Sequence, residues 1–377
     1  MTSEAKRRVA VVTGTRAEWG LLEPVVRAAG ERDDLEVGVL AVGWHLASGT
    51  VEEVRRAAES AGAAWWGEVA MQRPGQVGRW DDAAGLGRGV TGLADRLGAL
   101  ADAGGLDWVV VLGDRVEAFA GAIAGSIGGV RVAHLHGGDR AEGVADEAMR
   151  HAISKLAHLH LPATAGSAER LRRMGEAEEA VVCVGSPSID GLGDVTAADD
   201  GPGLIVLRHP IGEDDAQEQS WMAATLSAAS SAAEAHGLTL AVLEPNGDPG
   251  RLGVLAAIEA AGIQPVHHVP RTDWLAWLKG ARAIVGNSSA GLIEAAALGT
   301  ASVNLGQRQA GRERAGNAID CADGDPRAIR DAIDAAIALD LANLSHPFGD
   351  GETGPRVAAL LATFDLDRAP VRKHNAY

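Results

Sequence analysis

Short apolar runs recur along this chain, each ending in glycine or a small polar residue and each followed by a stretch with helical spacing. Val9–Val12 runs into Thr13-Gly14-Thr15-Arg16, and Trp108–Leu112 runs into Gly113-Asp114. Val130–Leu135 runs into His136-Gly137-Gly138, and Ala283–Val285 into Gly286-Asn287-Ser288-Ser289. Runs that are apolar on nearly every residue, rather than on every second one, belong to strands covered on both faces, the situation of a parallel sheet between helices. Strands are also expected near Val37–Val42, Ala63–Glu68, His158–Pro162 and Ala180–Val184, then near Leu204–Leu207, Leu238–Leu243, Val266–Val269 and Ala301–Asn304. Strand and helix alternate throughout, which predicts an α/β fold of doubly wound parallel sheets. Between the two sets lies a polar Asp/Gly/Ala stretch, Gly191–Gly203, which reads as a linker.

A chain of 377 residues with 46% hydrophobic content can fill two packed domains. Its net charge of -17 argues against a nucleic-acid or membrane-surface partner. A nucleotide ligand would need local arginines or helix N-termini to offset that field. Cys183 and Cys321 are the two cysteines, so neither a disulfide framework nor a metal-ligand spacing is present and no metal is expected. The run Val9–Val12 is too short for a signal peptide, and no stretch reaches the ~18 to 20 apolar residues of a membrane span. A cytoplasmic location is the expectation.

Ligands of parallel sheets bind outside the carboxyl ends of the strands, so Asp114 and the His136–Asp139 turn are expected to face one crevice. The helix predicted from Asp146 to about His158 opens with two carboxylates. At helical spacing Asp146 and Arg150 share a face, and Glu147 and His151 share the adjacent one. Such pairs can be solvated salt bridges; a helix directly after a Gly-Gly turn can equally aim its first turn into the crevice. In the second half, Gly286-Asn287-Ser288-Ser289-Ala290-Gly291 leads into a helix carrying Glu294. Small residues there let a phosphate approach backbone N–H groups, with the serines as added donors, although Ser capping alone explains the pattern. Glu294 would sit about a turn and a half further on, in reach of ribose hydroxyls. Arg208-His209-Pro210, Pro245-Asn246-Gly247-Asp248 and Gln307-Arg308-Gln309-Ala310-Gly311-Arg312 follow other predicted strands. Arg308 and Arg312 can be surface residues and His209 a buried turn histidine, yet polar groups at four successive strand ends are hard to explain as core.

Taken in order, TGTRAEWGLLEPV, GDRVEAFA, HLHGGDRAEGVADEAMRHAISKLAHLH, VGSPSID, PNGDPG, VGNSSAGLIEAAALGT and VNLGQRQAGRERAGN resemble the hydrolysing UDP-N-acetylglucosamine 2-epimerases of sialic-acid and legionaminic-acid pathways. The resemblance covers nearly the whole chain. It implies the fold of many nucleotide-sugar glycosyltransferases (GT-B-like): two Rossmann-like domains with the active site between them. The first would span residues 1–187 and carry the acid–base groups, with a C-terminal segment of about 355–377, including Val357–Phe364, packing back onto it; the second, 188–354, would bind the nucleotide. The implied reaction eliminates UDP across C1 and C2 to give a 2-acetamidoglucal, and water then adds with inverted C2 to release UDP and the manno sugar. No cofactor is implied, the partner is a UDP-sugar, and a homodimer or homotetramer is expected.

The same resemblance assigns residues. Asp114 and Asp146, with Asp139 as a third member, form the carboxylate set, and His209 is a pyrophosphate or proton-transfer partner. Arg16, Ser288, Ser289 and Glu294 match nucleotide-binding positions, as do Asn287 and Gly291 of the same motif, and His268 matches the uracil side. Arg115, Glu117, Arg150, His151, Asn246, Arg308 and Arg312 are expected to support the substrate. Carboxylates crowded in a cleft raise one another's pKa, so one can serve as acid while another stays a base. His136 stands 22 positions beyond Asp114, where sialic-acid enzymes carry Glu, and Asp139 stands where H-x-H-G-G-E enzymes carry Glu. Trp19 replaces a usual Tyr. These changes point to a 2,4-diacetamido-trideoxy sugar rather than plain N-acetylglucosamine, with the imidazole of His136 taking a carboxylate's place in the acid–base set. A non-hydrolysing 2-epimerase and a GT-B glycosyltransferase are the alternative readings. Against the first, Gly113-Asp114-Arg115 resembles the hydrolysing branch; against the second, the first domain is rich in carboxylates.

Overall fold

A computed structural model describes residues 6–73, 79–142, 146–267 and 269–376. The chain divides into two compact units, one comprising Met1–Asp139, Ala145–Asp190 and Gly349–Tyr377, the other Arg140–Val144 and Gly191–Phe348. Both are doubly wound parallel α/β units, the fold class expected from the apolar runs.

The first unit holds strands β1 (Arg7–Thr13), β2 (Leu35–Val42), β3 (Ala64–Val69), β4 (Trp108–Leu112), β5 (Arg131–Leu135) and β6 (Leu159–Leu161) in the order β3-β2-β1-β4-β5-β6, all parallel. Every residue of β4 is buried, because helices cover both faces. The order reverses between β1 and β4, so the connections leaving these two strands diverge and open a crevice at their carboxyl ends. The helix Arg16–Gly30 leaves β1 with Thr15 as its cap, and Glu18 N donates to the Thr15 hydroxyl at 3.2 Å. It buries Trp19, Leu22, Val25, Val26 and Ala29.

The C-terminal helix Thr353–Thr363 lies against that first helix, close enough that a Cβ on Gly354 would sit 2.5 Å from the Pro24 carbonyl oxygen. Asp190 accepts from the N–H groups of Thr353 and Gly354 at the helix start. At its other end, Trp108 Nε1 donates to Leu361 O at 3.2 Å and Arg7 donates to Phe364 O at 2.8 Å.

The second unit holds β7 (Leu204–Leu207), β8 (Leu240–Val242), β9 (Ala283–Gly286), β10 (Ala301–Leu305) and β11 (Ala318–Cys321), in the parallel order β11-β10-β9-β7-β8 with its switch between β7 and β9. Among the described residues no helix is long and apolar enough to cross a membrane.

Two local expectations differ from the structure, and one strand was not expected. Ala180–Val184 is no strand: a 3-10 turn, Glu178–Ala180, precedes a single bridge from Val181 to His160, because β6 itself ends after three residues. In the expected strand Val266–Val269, of which His268 lies outside the described residues, the described residues show one bridge, between Val266 and Leu243. Conversely β11 carried no apolar-run signal, since it is a partly exposed edge strand reading Ala-Ile-Asp-Cys.

Candidate active site

In the first unit, the ends of β4 and β5 are joined by hydrogen bonds below the crevice. Gly113, at φ +76°, turns the chain out of β4, and its N–H donates to Leu135 O at 3.0 Å. His134 locks the same turn from beneath, with Nε2 2.7 Å from Gly113 O and Nδ1 3.1 Å from Ser154 Oγ. Burial pushes its pKa down to about 3, so this imidazole is neutral. Asp114 emerges from the turn with its side chain one-fifth exposed and accepts from Arg150 Nη2, whose side chain is almost wholly buried. The other terminal nitrogen of Arg150 donates to His136 O at 3.1 Å. Arg150 therefore spans the two strand ends. Asp146 opens the helix Asp146–Leu156, but its side chain lies outside the described residues.

His136 is the non-glycine residue with a left-handed backbone among the described residues, at φ +59°. Its ring is buried and fully engaged: Nδ1 is 2.7 Å from Asp139 Oδ2 and Nε2 is 3.0 Å from Ser186 Oγ. Asp139, also buried, accepts on Oδ1 from Ser167 Oγ at 2.7 Å, and Ser186 Oγ lies 2.8 Å from Ser188 Oγ. Sequence reasoning had not singled out Ser186, since its partner is 50 positions away.

Glu117 lies deeper, fully buried at the start of the helix after β4, where it accepts from Arg115 Nε at 3.3 Å and Gln72 Nε2 at 3.1 Å. It presses against the loop after β1: a Cβ on Gly14 would come within 2.4 Å of Glu117 Cγ. Glu18 accepts from the Gly14 N–H and is buried; its pKa is pushed up to about 8, chiefly by burial and further by the charge of Glu117. Neither Glu18 nor Gln72 was among the expected site residues, although the spacing Thr15-x-x-Glu18 is the signature of a capping box. Arg16 pairs with Glu53 at 2.6 Å, and His151 with Glu147 at 3.2 Å, the latter as helical spacing predicted.

Asn287 organises the strand ends of the second unit. Its Oδ1 accepts from His209 N at 2.7 Å while its Nδ2 donates to His209 O at 2.8 Å. Its own carbonyl accepts from Arg308 Nη1 at 3.1 Å and Gln309 Nε2 at 3.0 Å. The loops after β7, β9 and β10 are thus tied at one residue. His209 Nδ1 accepts from Asn246 N at 3.2 Å, which brings in the loop after β8. Arg312 Nε donates to Arg140 O.

Ser288 caps a 3-10 turn, Ser289–Gly291, and the helix proper starts only at Glu294. Glu294 is therefore the first helical residue, not one further along, because the helix begins five positions after Ser289. It accepts from Arg271 Nη1 at 2.8 Å. Gly291 is required by packing, since a Cβ there would lie 2.6 Å from Ser302 Oγ. Arg208, which follows β7 as expected, is buried with Asp323 at 2.5 Å and the Trp221 ring centroid at 5.3 Å. His268 lies outside the described residues.

Two parallel doubly wound units, each with charged and amide side chains gathered at its strand ends, define a Rossmann-like α/β protein. The chain belongs to the UDP-N-acetylglucosamine 2-epimerase family, whose profile matches residues 30–362. It is 32% identical to the UDP-N,N'-diacetylbacillosamine 2-epimerase (hydrolyzing) of Legionella pneumophila, over 98% of this chain and 100% of the relative. It is 30% identical to the UDP-N-acetylglucosamine 2-epimerase of Neisseria meningitidis serogroup B, over 92% of each. In fold it is similar to the crystal structure of a Neisseria meningitidis UDP-GlcNAc 2-epimerase bound to UDP-GlcNAc, with a TM-score of 0.77 at 18% identity, over 94% of this chain and 99% of that one.

Proposed function

We propose that the chain is a hydrolysing 2-epimerase that converts a UDP-2-acetamido sugar to UDP and the free 2-acetamido manno sugar, serving nonulosonic-acid synthesis. Family membership carries the coarser part, that it is a UDP-sugar 2-epimerase. The observation that carries the finer part is Asp114, a partly exposed carboxylate at a strand end, held in place by the buried guanidinium of Arg150.

The C2 proton of a 2-acetamido sugar is weakly acidic, so elimination of UDP needs a positioned base and a stabilised leaving group; general acid–base assistance is worth ~10² to 10⁴-fold. Asp114 and Asp146 are assigned to proton transfer at C2 and to the return of water. His209, Arg308 and Arg312 are assigned to the pyrophosphate, Ser288 and Ser289 to the phosphate and sugar edge of the nucleotide, and Glu294 to the ribose. Similarity to the Legionella relative, together with His136-Gly137-Gly138-Asp139 in place of a glutamate-led motif, supports a 2,4-diacetamido-2,4,6-trideoxy sugar as substrate beside UDP-N-acetylglucosamine.

The test is incubation with each of the two nucleotide sugars in D2O, followed by NMR. Free UDP with a manno sugar deuterated at C2 is the expected product. An intact epimerised nucleotide sugar would instead mark a non-hydrolysing enzyme, and absence of C2 exchange with both substrates would refute the reading.

A further inference from the structure

We infer that His136 positions Asp114 through Arg150, with its imidazole pinned by Asp139 and Ser186, rather than transferring the substrate proton itself. The inference rests on the epimerase reading above and assigns the device that holds its base.

Three observations converge. Both ring nitrogens of His136 are already engaged inside the unit, at 2.7 Å by Asp139 and 3.0 Å by Ser186, and the residue is buried, so no ring nitrogen is left for a substrate C–H. The hydrogen-bond pattern fits Nδ1–H donating to the Asp139 carboxylate and the Ser186 hydroxyl donating to Nε2. Second, the left-handed backbone of His136 decides where its carbonyl points, and that carbonyl accepts from Arg150 Nη1 at 3.1 Å. A non-glycine residue holds such a conformation only where its surroundings over-determine it. The pinned ring supplies that constraint. So does the packing of the next two residues, since a Cβ on Gly137 would lie 2.9 Å from His134 Nδ1 and one on Gly138 2.3 Å from Ser167 O.

Third, Arg150 has no partner at Nε, so its placement depends on two contacts, the His136 carbonyl and the Asp114 carboxylate. If the carbonyl swings away, Arg150 loses one of its two anchors and Asp114 follows. Histidine in this turn therefore acts as a structural pivot rather than as a proton-transfer group. Ser186 belongs to the site for that reason, and not as a nucleophile, because it is wholly buried.

The test compares wild type with Ser186→Ala, Asp139→Asn and His136→Asn, the last because asparagine tolerates the left-handed backbone. kcat, KM, UDP affinity and the pH profile of kcat/KM are measured for each, with circular dichroism to verify folding. Misplacing a reacting group by an ångström costs up to about 100-fold, so each variant is expected to lose about 10- to 100-fold in kcat, with UDP affinity kept within about twofold. Both limbs of the wild-type pH profile are expected to survive in His136→Asn. Loss of one limb in that variant overturns the inference, since the imidazole would then be the titrating acid or base. Wild-type kcat in both Ser186→Ala and Asp139→Asn overturns it from the other side.

A crystal structure of Ser186→Ala provides a readout independent of turnover. A displaced Arg150–Asp114 pair is expected, and an undisplaced one refutes the pivot. Wild-type enzyme without C2 exchange on either nucleotide sugar would instead sink the epimerase reading, so the two failures are distinguishable.

Discussion

Asn287 offers the sharpest energetic test, because its buried side chain forms two hydrogen bonds to the backbone of one residue. The amide accepts from His209 N at 2.7 Å and donates to His209 O at 2.8 Å, and Asn287 itself is 1% exposed. Asn287→Ala removes both bonds at once, taking one partner each from the N–H and the C=O of His209. Each backbone group left unsatisfied costs about 1–3 kcal/mol when buried. His209 is only partly buried, so water recovers part of that cost, and a total of about 2–3 kcal/mol is expected. At about 2–4 °C per kcal/mol for a unit of this size, the melting transition of the second unit should fall by roughly 5–10 °C.

Differential scanning calorimetry resolves that transition, and isothermal titration with UDP reports the same lesion in the ligand-free and ligand-bound states. Asn287→Asp separates the two bonds: it keeps the acceptor for His209 N–H but sets an oxygen against the His209 carbonyl. It should therefore be at least as destabilising as alanine at neutral pH, and less so once acid protonates the new carboxyl. A loss below about 0.5 kcal/mol in Asn287→Ala, the scale of an ordinary surface substitution, would refute the claim that this side chain ties the strand ends together.

Asp114→Asn should abolish C2 exchange, with kcat down by about 10² to 10⁴-fold, while binding UDP as wild type does; wild-type turnover would remove Asp114 from the chemistry. Glu18 predicts a pH effect on stability. Its pKa is pushed up to about 8 in the folded chain against 4.5 for an ordinary glutamate carboxyl, so between those values the unfolded chain binds fewer protons and stability falls as pH rises. Glu18→Gln should remove up to about 1.4 kcal/mol per pH unit of that decline across pH 5 to 8, read from urea midpoints; parallel slopes for variant and wild type would count against a protonated Glu18.

The sheets and the positions of polar strand ends were legible because both follow from local rules. A run such as Trp108–Leu112 has to be covered on both faces, and the residue after it has to stand at the sheet's carboxyl edge. The glycines and serines of the Gly286–Gly291 turn marked a strand-to-helix connection for the same reason. Where local rules were weakest the reading slipped. Ala180–Val184 is apolar but runs beside a three-residue strand, and Ala318–Cys321 is a strand that faces solvent along much of its length.

Sequence placed Asp114, His136 and Asp139 at strand ends of the first unit, and His209, Asn287 and Arg308 at strand ends of the second. It did not reveal which atoms of these residues meet. Arg150 reaches Asp114 across 36 positions, His136 reaches Ser186 across 50, and Asn287 clamps His209 across 78. A hydrogen bond needs its heavy atoms within a few tenths of an ångström of about 2.9 Å, and at such separations no periodicity or capping rule sets that distance. By itself, then, the sequence determined two parallel sheets and the family to which they belong, because burial of apolar runs and the order of motifs are one-dimensional properties. Only the tertiary structure decided that the His136 ring is occupied and that its carbonyl, turned by a left-handed backbone, supports Arg150, because those facts depend on how distant loops close on one another.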